Sequence, residues 1–283
     1  MYQAEPALEA LTLGQKSEYA TQYSPDLLQA VPRQLNREEL GIVAAQPFIG
    51  QDVWHAYELS WLSMKGKPVV ALGRFSIDSS SVNIVESKSF KLYLNSFNQS
   101  RFDSIEQVQA LLETDLSKTA QGEFNVELFE PDNLSAFPVT ALPGYCIDDI
   151  DIDVCETSLN PQLLALSTSH KVVSETLHSH LLKSNCLITN QPDWASVIIE
   201  YTGQEIDHAA LLQYLVSFRM HNEFHEQCVE RIFCDVTKIC QPEFLSVQAL
   251  YTRRGGLDIN PFRTSKTPQS DTKNAPIRRI NRQ

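Results

Sequence analysis

The chain has 283 residues, 42% hydrophobic and 20% charged; this is globular composition, long enough for two domains, and it excludes a largely disordered protein. The formal net charge is −12, which argues against a nucleic-acid partner, because gripping a phosphate backbone needs a basic face that releases condensed counterions. An anionic ligand must then be held by a local basic cluster, which suits a dinucleotide better than a long polyanion.

In chain order, Met1 to Gln15 carry two Glu and no basic stretch ahead of an apolar run, so no signal peptide is expected. No apolar run reaches the ~18 residues of a membrane span. A cytoplasmic protein is the expectation. Residues 1 to about 40 read as an extension with short helical pieces at Pro25 to Gln29 and Asn36 to Leu40. Trp54 to Met64 and Pro68 to Asp78 are rich in aliphatic and aromatic residues around a Lys65-Gly66-Lys67 turn, which predicts a β-hairpin. Asn83 to Val85 continues extended. Phe90 to Phe97 and Ser104 to Ala120 follow as helices, the second with Ser104 as N-cap and Ile105, Val108, Leu111, Leu112 and Leu116 on its apolar positions. Phe124 to Phe129 alternates as a strand.

After a loop containing Pro138, Pro143-Gly144 and acidic Asp148 to Asp153, the order repeats. Lys171 to Leu182 and Ser196 to Thr202 read as strands, and Asp207 to His221 and Asn222 to Cys240 as helices capped by Asp207 and Asn222. Leu245 to Thr252 closes the set. Strand–strand–helix–helix–strand thus occurs twice. The tail from Thr264 is polar and reads as a loose terminus or one docked on a partner subunit.

Six cysteines are present, at 146, 155, 186, 228, 234 and 240. None forms a C-x-x-C pair, and without a secretory signal they read as free thiols. Cys228, Cys234 and Cys240 do not share one helix face and read as packing residues.

Four segments carry candidate chemistry. Cys186 lies in Lys183-Ser184-Asn185-Cys186-Leu187-Ile188-Thr189-Asn190-Gln191-Pro192-Asp193-Trp194. A neighbouring cation such as Lys183 favours the nucleophilic thiolate, and a turn folding back at Pro192 would bring the Asp193 carboxyl beside the sulfur as a proton shuttle. A buried packing cysteine is the plain alternative. In His221-Asn222-Glu223-Phe224-His225-Glu226-Gln227-Cys228, two histidines four apart can share a helix face, but the order is not H-E-x-x-H and no third ligand is evident. At Val85-Glu86-Ser87-Lys88-Ser89-Phe90-Lys91-Leu92-Tyr93 a strand gives way to a helix, where serine hydroxyls, lysines and exposed N–H groups attract anions. Arg253-Arg254-Gly255-Gly256 offers guanidinium groups and a close-approaching backbone for phosphate. Each of the last three is equally an ordinary charged surface or turn, and no G-x-G-x-x-G occurs.

Together these segments, with Tyr251 to Pro261, resemble the NADPH-dependent 7-cyano-7-deazaguanine reductases, the nitrile reductases of queuosine biosynthesis. The similarity runs from about Leu11 to Arg263 and fits their longer, two-module subgroup. The resemblance implies an α+β architecture of tandem tunnelling-fold (T-fold) modules, antiparallel sheets with helices packed on one side. After the extension of residues 1–40, residues 41–145 would form the first module and 146–283 the second. It further implies Cys186 as nucleophile and Asp193 as proton donor, His225 and Glu226 as holders of the deazaguanine, and Val85, Glu86 and Ser87 as pocket contributors. Ser87, Lys88, Arg254 and Gly255 would bind NADPH. No metal is required, and a cytoplasmic homodimer acting on a small deazapurine, without direct nucleic-acid or membrane contact, is expected. The rival is a zinc-dependent pterin or purine hydrolase of the GTP cyclohydrolase I type, with His221, His225 and Cys186 or Cys228 as ligands. A scaffold that keeps the fold without catalysis is a third reading, opposed by the intact Cys186/Asp193 pair.

Overall fold

The computed structural model describes residues 20–43, 45–133, 135–154, 158–265 and 278–283. The expectations for Met1 to Gln15, for Cys155 and for most of the polar tail lie outside these residues. The chain divides into two compact units, each discontinuous in sequence: the first gathers the chain up to Gly41, Val53–Ala136 and Arg254–Asp258, the second Ile42–Asp52, Phe137–Arg253 and Ile259–Gln283.

In the first unit, a 3-10 turn at Pro25–Leu27 precedes strand β1 (Ala30–Pro32) and the short helix α1 (Gln34–Glu39). The long strand β2 (Phe48–Leu62) contributes its later part and runs into β3 (Pro68–Asp78) as the expected hairpin, followed by β4 (Asn83–Val85). Helices α2 (Ser87–Ser96) and α3 (Ile105–Ala120) then lead to β5 (Phe124–Phe129), which pairs antiparallel with β3, Phe75 opposite Val126. The small strand β1 pairs antiparallel with β4, Ala30 opposite Val85. The core forms where aromatic rings interlock: Phe90 of α2 meets Trp54 and Phe75 edge-on at 5.3 and 5.2 Å. On α3, Val108, Leu112 and Leu116 of the expected apolar positions are buried together with Ala120, while Ile105 and Leu111 are half-buried.

Ser104 caps α3 as expected, its hydroxyl accepting from the Gln107 N–H at 3.3 Å. Ser104→Ala leaves that donor without its cap, so chemical denaturation should show a loss of about 1 kcal/mol. Helix α2 starts three residues earlier than the apolar pattern suggested, because Glu86 serves as its N-cap.

The second unit repeats the order. The two-residue strand β6 (Tyr145–Cys146) precedes β7 (Val172–Asn185) and β8 (Pro192–Gln204), then α4 (His208–Ser217), α5 (His225–Cys240), β9 (Phe244–Tyr251) and most of β10 (Leu257–Ser265). Its strands lie in the order β10-β9-β8-β7-β6, antiparallel except for the parallel pair β6–β7. Asp207 caps α4 by accepting from the Ala210 N–H at 2.9 Å, as expected. Asn222 does not cap α5. The chain from His221 stays extended, and Phe224 is the residue before the helix, its N–H donating to Gln227 Oε1 at 3.4 Å. The buried stripe of α5 includes Val229, Ile232, Phe233 and Val236, and Phe233 meets Phe48 edge-on at 5.5 Å. Arg263 is wholly buried between Asp52 at 2.7 Å and Glu230 at 2.9 Å, an arrangement in which each charge compensates the desolvation of the others.

Each unit thus carries strand–strand–helix–helix–strand, the α+β order that the resemblance implies for a tunnelling-fold module. No helix among the described residues is long and apolar enough to cross a membrane.

Candidate active site

Cys186 follows the last residue of β7, at the start of the loop that returns as β8. The loop closes tightly: the Cys186 N–H donates to the Gln191 carbonyl at 2.8 Å and the Asn190 N–H to the Cys186 carbonyl at 3.1 Å. Asn190 takes a left-handed φ of 55° to allow this, a conformation that asparagine tolerates better than most residues. The turn therefore folds back as the sequence suggested, and Asp193 lands on β8 opposite Ser184. Ser184 and Asp193, directly opposite each other, face the same side of the β7–β8 ladder.

Asp193 is 3% exposed. Its Oδ2 lies 3.2 Å from Nε2 of His225, the first residue of α5. The His225 ring stacks on Tyr251 of β9 at 3.8 Å between centroids and 10° between planes, which fixes its orientation. Its Nδ1 is buried and has no protein hydrogen-bond partner. Glu226, also 3% exposed, sits beside it in the first turn of α5, where the helix dipole favours a carboxylate.

The support beneath Cys186 was not evident from the sequence. The Asn185 N–H donates to the His221 carbonyl at 2.8 Å, and the Glu223 N–H donates back to the Asn185 carbonyl at 3.1 Å. Between them, the Asn222 amide donates to the Cys186 carbonyl at 3.4 Å and to Asn190 Oδ1 at 3.1 Å. This docked segment is held in turn by Glu223, which receives Nη2 of Arg231 at 2.6 Å and pairs with Nε2 of His221 at 3.0 Å. Burial alone would push the Glu223 carboxyl up, but the His221 hydrogen bond and the Arg231 guanidinium overcome it and hold the group below the usual carboxylate range. The signal was the residue pair itself, an acid ahead of α5 and an arginine two turns into it. Lys183 does not serve the sulfur: its ammonium donates to Asn185 Oδ1 at 2.6 Å and to the Arg219 carbonyl at 2.5 Å.

The metal reading of His221 and His225 fails on the same geometry. His221 precedes the helix in extended backbone, so the two residues do not share a helix face, and among the described residues the side chains that converge as metal ligands do not include them. Cys228 is wholly buried, and burial together with the nearby Glu223 pushes its thiol well above the ordinary value.

In the first unit, Val85 ends β4 and Glu86 caps α2, its carboxylate accepting from the Lys88 and Ser89 N–H groups at 2.8 and 2.7 Å. Burial pushes this carboxyl up against the opposing pull of those N–H groups and of the Lys91 and Lys88 ammonium groups, with a net rise. The Ser87 hydroxyl sits 3.5 Å from the same carboxylate. Arg254 and Leu257 close a two-residue turn through Gly255 and Gly256, at φ of 58° and 78°, the conformation that glycine supplies without strain. A Cβ on Gly255 would lie 3.0 Å from Cδ of Lys91. The turn thus rests on the stem of Lys91, and Ser87, Lys88 and Lys91 lie in the first turns of α2. Hydroxyl, ammonium and guanidinium groups beside a bare glycine backbone fit the phosphates of a dinucleotide.

Residues 19–128 match the family described as "Nitrile reductase, 7-cyano-7-deazaguanine-reductase N-term", and residues 192–270 match that described as "QueF-like protein". Over 275 residues the chain is 55% identical to the NADPH-dependent 7-cyano-7-deazaguanine reductase of Colwellia psychrerythraea strain 34H, covering 95% of this chain and 96% of that protein. Among solved structures, the archaeosine synthase QueF-Like in its apo form aligns with a TM-score of 0.30 at 19% identity, over 34% of this chain and 96% of that one, too slight a likeness to bear on the fold. The close relative and the two matched segments agree: the chain belongs to the family of 7-cyano-7-deazaguanine reductases.

Proposed function

We propose that this chain reduces the nitrile of 7-cyano-7-deazaguanine to an aminomethyl group, with Cys186 as nucleophile and Asp193 as proton carrier. The observation that carries this reading is the buried Asp193 carboxylate, 3.2 Å from His225 and on the strand to which the Cys186 loop returns. A nitrile is a poor hydride acceptor, and sulfur addition converts it to a thioimide that is easier to reduce. As the C–S bond forms, the π electrons of the nitrile go to nitrogen. The thiol proton travels through the Asp193 carboxylate to that nitrogen. Only after the thioimide carbon has taken up a first hydride and its nitrogen a proton would the C–S bond break, the Cys186 thiolate leaving an imine behind. Burial of Asp193 and Glu226 keeps bulk water away from their carboxylates, which suits a site that must protect an imine from hydrolysis.

His225 and Glu226 would grip the deazaguanine; a carboxylate accepts two hydrogen bonds from the amidine-like edge of the ring. Val85, Glu86 and Ser87 are assigned to substrate contact. Glu86 retains acceptor capacity beyond its two capping bonds, because an ionised carboxylate has about four lone-pair positions. Ser87, Lys88, Arg254 and Gly255 are assigned to NADPH. Two NADPH molecules, bound in turn, would each supply one hydride, together the four electrons that separate nitrile from amine. A homodimer in the cytoplasm is the inferred setting, consistent with the free thiols of Cys146, Cys186, Cys228, Cys234 and Cys240, and the acidic charge opposes direct tRNA contact.

The test is NADPH consumption with this nitrile: two equivalents oxidised per nitrile support the reading, and no consumption rejects it. Arg254→Ala should raise the KM for NADPH about tenfold or more, the cost of one charge-assisted contact, while adduct formation without NADPH continues. Loss of the adduct instead would move Arg254 to the substrate.

A further inference from the structure

At the β6–β7 edge of the second unit, three side chains able to bind a metal converge. Parallel pairing sets Cys146 opposite His178, and the Ile147 N–H donates to the His178 carbonyl at 3.0 Å. His180 lies two residues further along β7, where the β7–β8 register shifts between Ser179 and Leu182. The two imidazoles stand 5.5 Å apart between centroids at 71°. One ligand-capable atom from each of Cys146, His178 and His180 lies within 4.8 Å of the others, and all three residues are partly exposed.

The surroundings hold these groups in place. Nδ1 of His178 is 2.8 Å from the Pro143 carbonyl oxygen. A carbonyl only accepts, so Nδ1 carries the proton and Nε2 keeps its lone pair. That is the outer partner by which metal-binding histidines are oriented. Nδ1 of His180 lies 2.7 Å from Ser196 Oγ. The Asp148 carboxylate accepts from the His180 N–H at 2.9 Å and from the Ser179 hydroxyl at 2.6 Å. Gly144 lets the chain press against β7: a Cβ there would fall 2.0 Å from the Thr176 carbonyl oxygen, which fixes the course leading to Cys146.

We propose that Cys146, His178 and His180 form a binding site for a divalent transition metal, zinc foremost, with solvent as fourth ligand. One thiolate and two imidazoles suit a borderline-soft tetrahedral ion and reject magnesium and calcium, which take oxygen ligands. Binding releases the thiol proton. The ion would clasp β6, held to β7 by two register pairs, onto the sheet. The sequence could not display this set, because Cys146 lies far from the histidines until parallel pairing joins them.

The test uses the full-length, chelator-stripped protein, titrated with Co2+ or Zn2+ alone. The wild type should bind one equivalent of Co2+ with a thiolate-to-cobalt charge-transfer band, displaced by Zn2+, and Zn2+ should raise the melting temperature. Cys146→Ser should lose the band. His178→Gln should weaken binding by at least about tenfold, since losing even an outer partner costs 10- to 100-fold; it also serves as the second variant should Cys146→Ser fail to fold by circular dichroism. Cys186→Ala should keep the band. Wild-type protein that binds no Co2+, a band that survives Cys146→Ser, undiminished affinity in His178→Gln, or a band lost in Cys186→Ala would each overturn the proposal. None of these readouts depends on nitrile reduction.

Discussion

Replacing Cys186 with alanine is expected to abolish both the covalent adduct and turnover. Mixed with 7-cyano-7-deazaguanine in the absence of NADPH, the wild type should develop new absorbance from the thioimide, and Cys186→Ala should show none. Turnover should fall by at least about a thousandfold, roughly 4 kcal/mol of barrier. Three of the other described cysteines sit where a thiolate is disfavoured. Burial and Glu223 push the Cys228 thiol well above its ordinary value, burial pushes Cys240 up to about 11, and burial raises Cys146 against the pull of the Asp148 N–H. A nucleophile must ionise, and these environments oppose it. Cys186 alone among them sits in a loop whose backbone is anchored on both sides, through Gln191 and through Asn190 and Asn222. Cys228→Ala should therefore keep the adduct. An adduct that persists in Cys186→Ala would disprove the assignment.

Elements whose signals are local were legible in the sequence. Ser104 and Asp207 cap helices because their side-chain oxygens meet N–H groups three residues on, a contact needing nothing from elsewhere in the chain. Asn222 has the same chemistry and looked like the same device, yet its amide is spent on Cys186 and Asn190. Pairing of Asn185 with both His221 and Glu223 keeps that stretch extended, so tertiary contact overrode local preference. Lys183 was drawn to the thiol by nearness in sequence, but adjacent strand residues face opposite sides, and its ammonium found Asn185 and the Arg219 carbonyl. The fold-back of Asp193 was readable from the Pro192 turn, whereas its contact with His225, 32 positions on, requires the packed unit. The segments proposed to hold phosphate stood out by composition. That Gly255 rests on Lys91 depends on a turn joined to a helix more than 150 residues earlier.

Arg231→Ala should destabilise the protein by about 3–5 kcal/mol, the cost of stranding a buried carboxylate. Glu223 is 1% exposed, and Arg231 contacts both of its oxygens, Nε at 3.1 and 3.0 Å and Nη2 at 2.6 Å. Arg231→Lys should rescue little, because a point charge cannot reproduce the planar fork. The pH dependence carries a definite sign. In the wild type the folded-state pKa of Glu223 is lowered, so its stabilising contribution is present above the unfolded value of about 4.3 and is lost as pH falls below it. Without Arg231, the His221 hydrogen bond is left to oppose burial without the guanidinium, and the folded-state pKa is expected to rise past the unfolded one. The variant then suffers no charge penalty in acid, and the penalty grows as pH climbs past about 4.3. The stability gap between wild type and variant should be wide at pH 7 and narrow near pH 4, measured by denaturant unfolding at both. A gap unchanged between the two would mean that Arg231 acts through packing of its stem rather than through the ion pair. Because Glu223 pins the segment that holds the Cys186 loop, the folded variant should also form the nitrile adduct more slowly at pH 7.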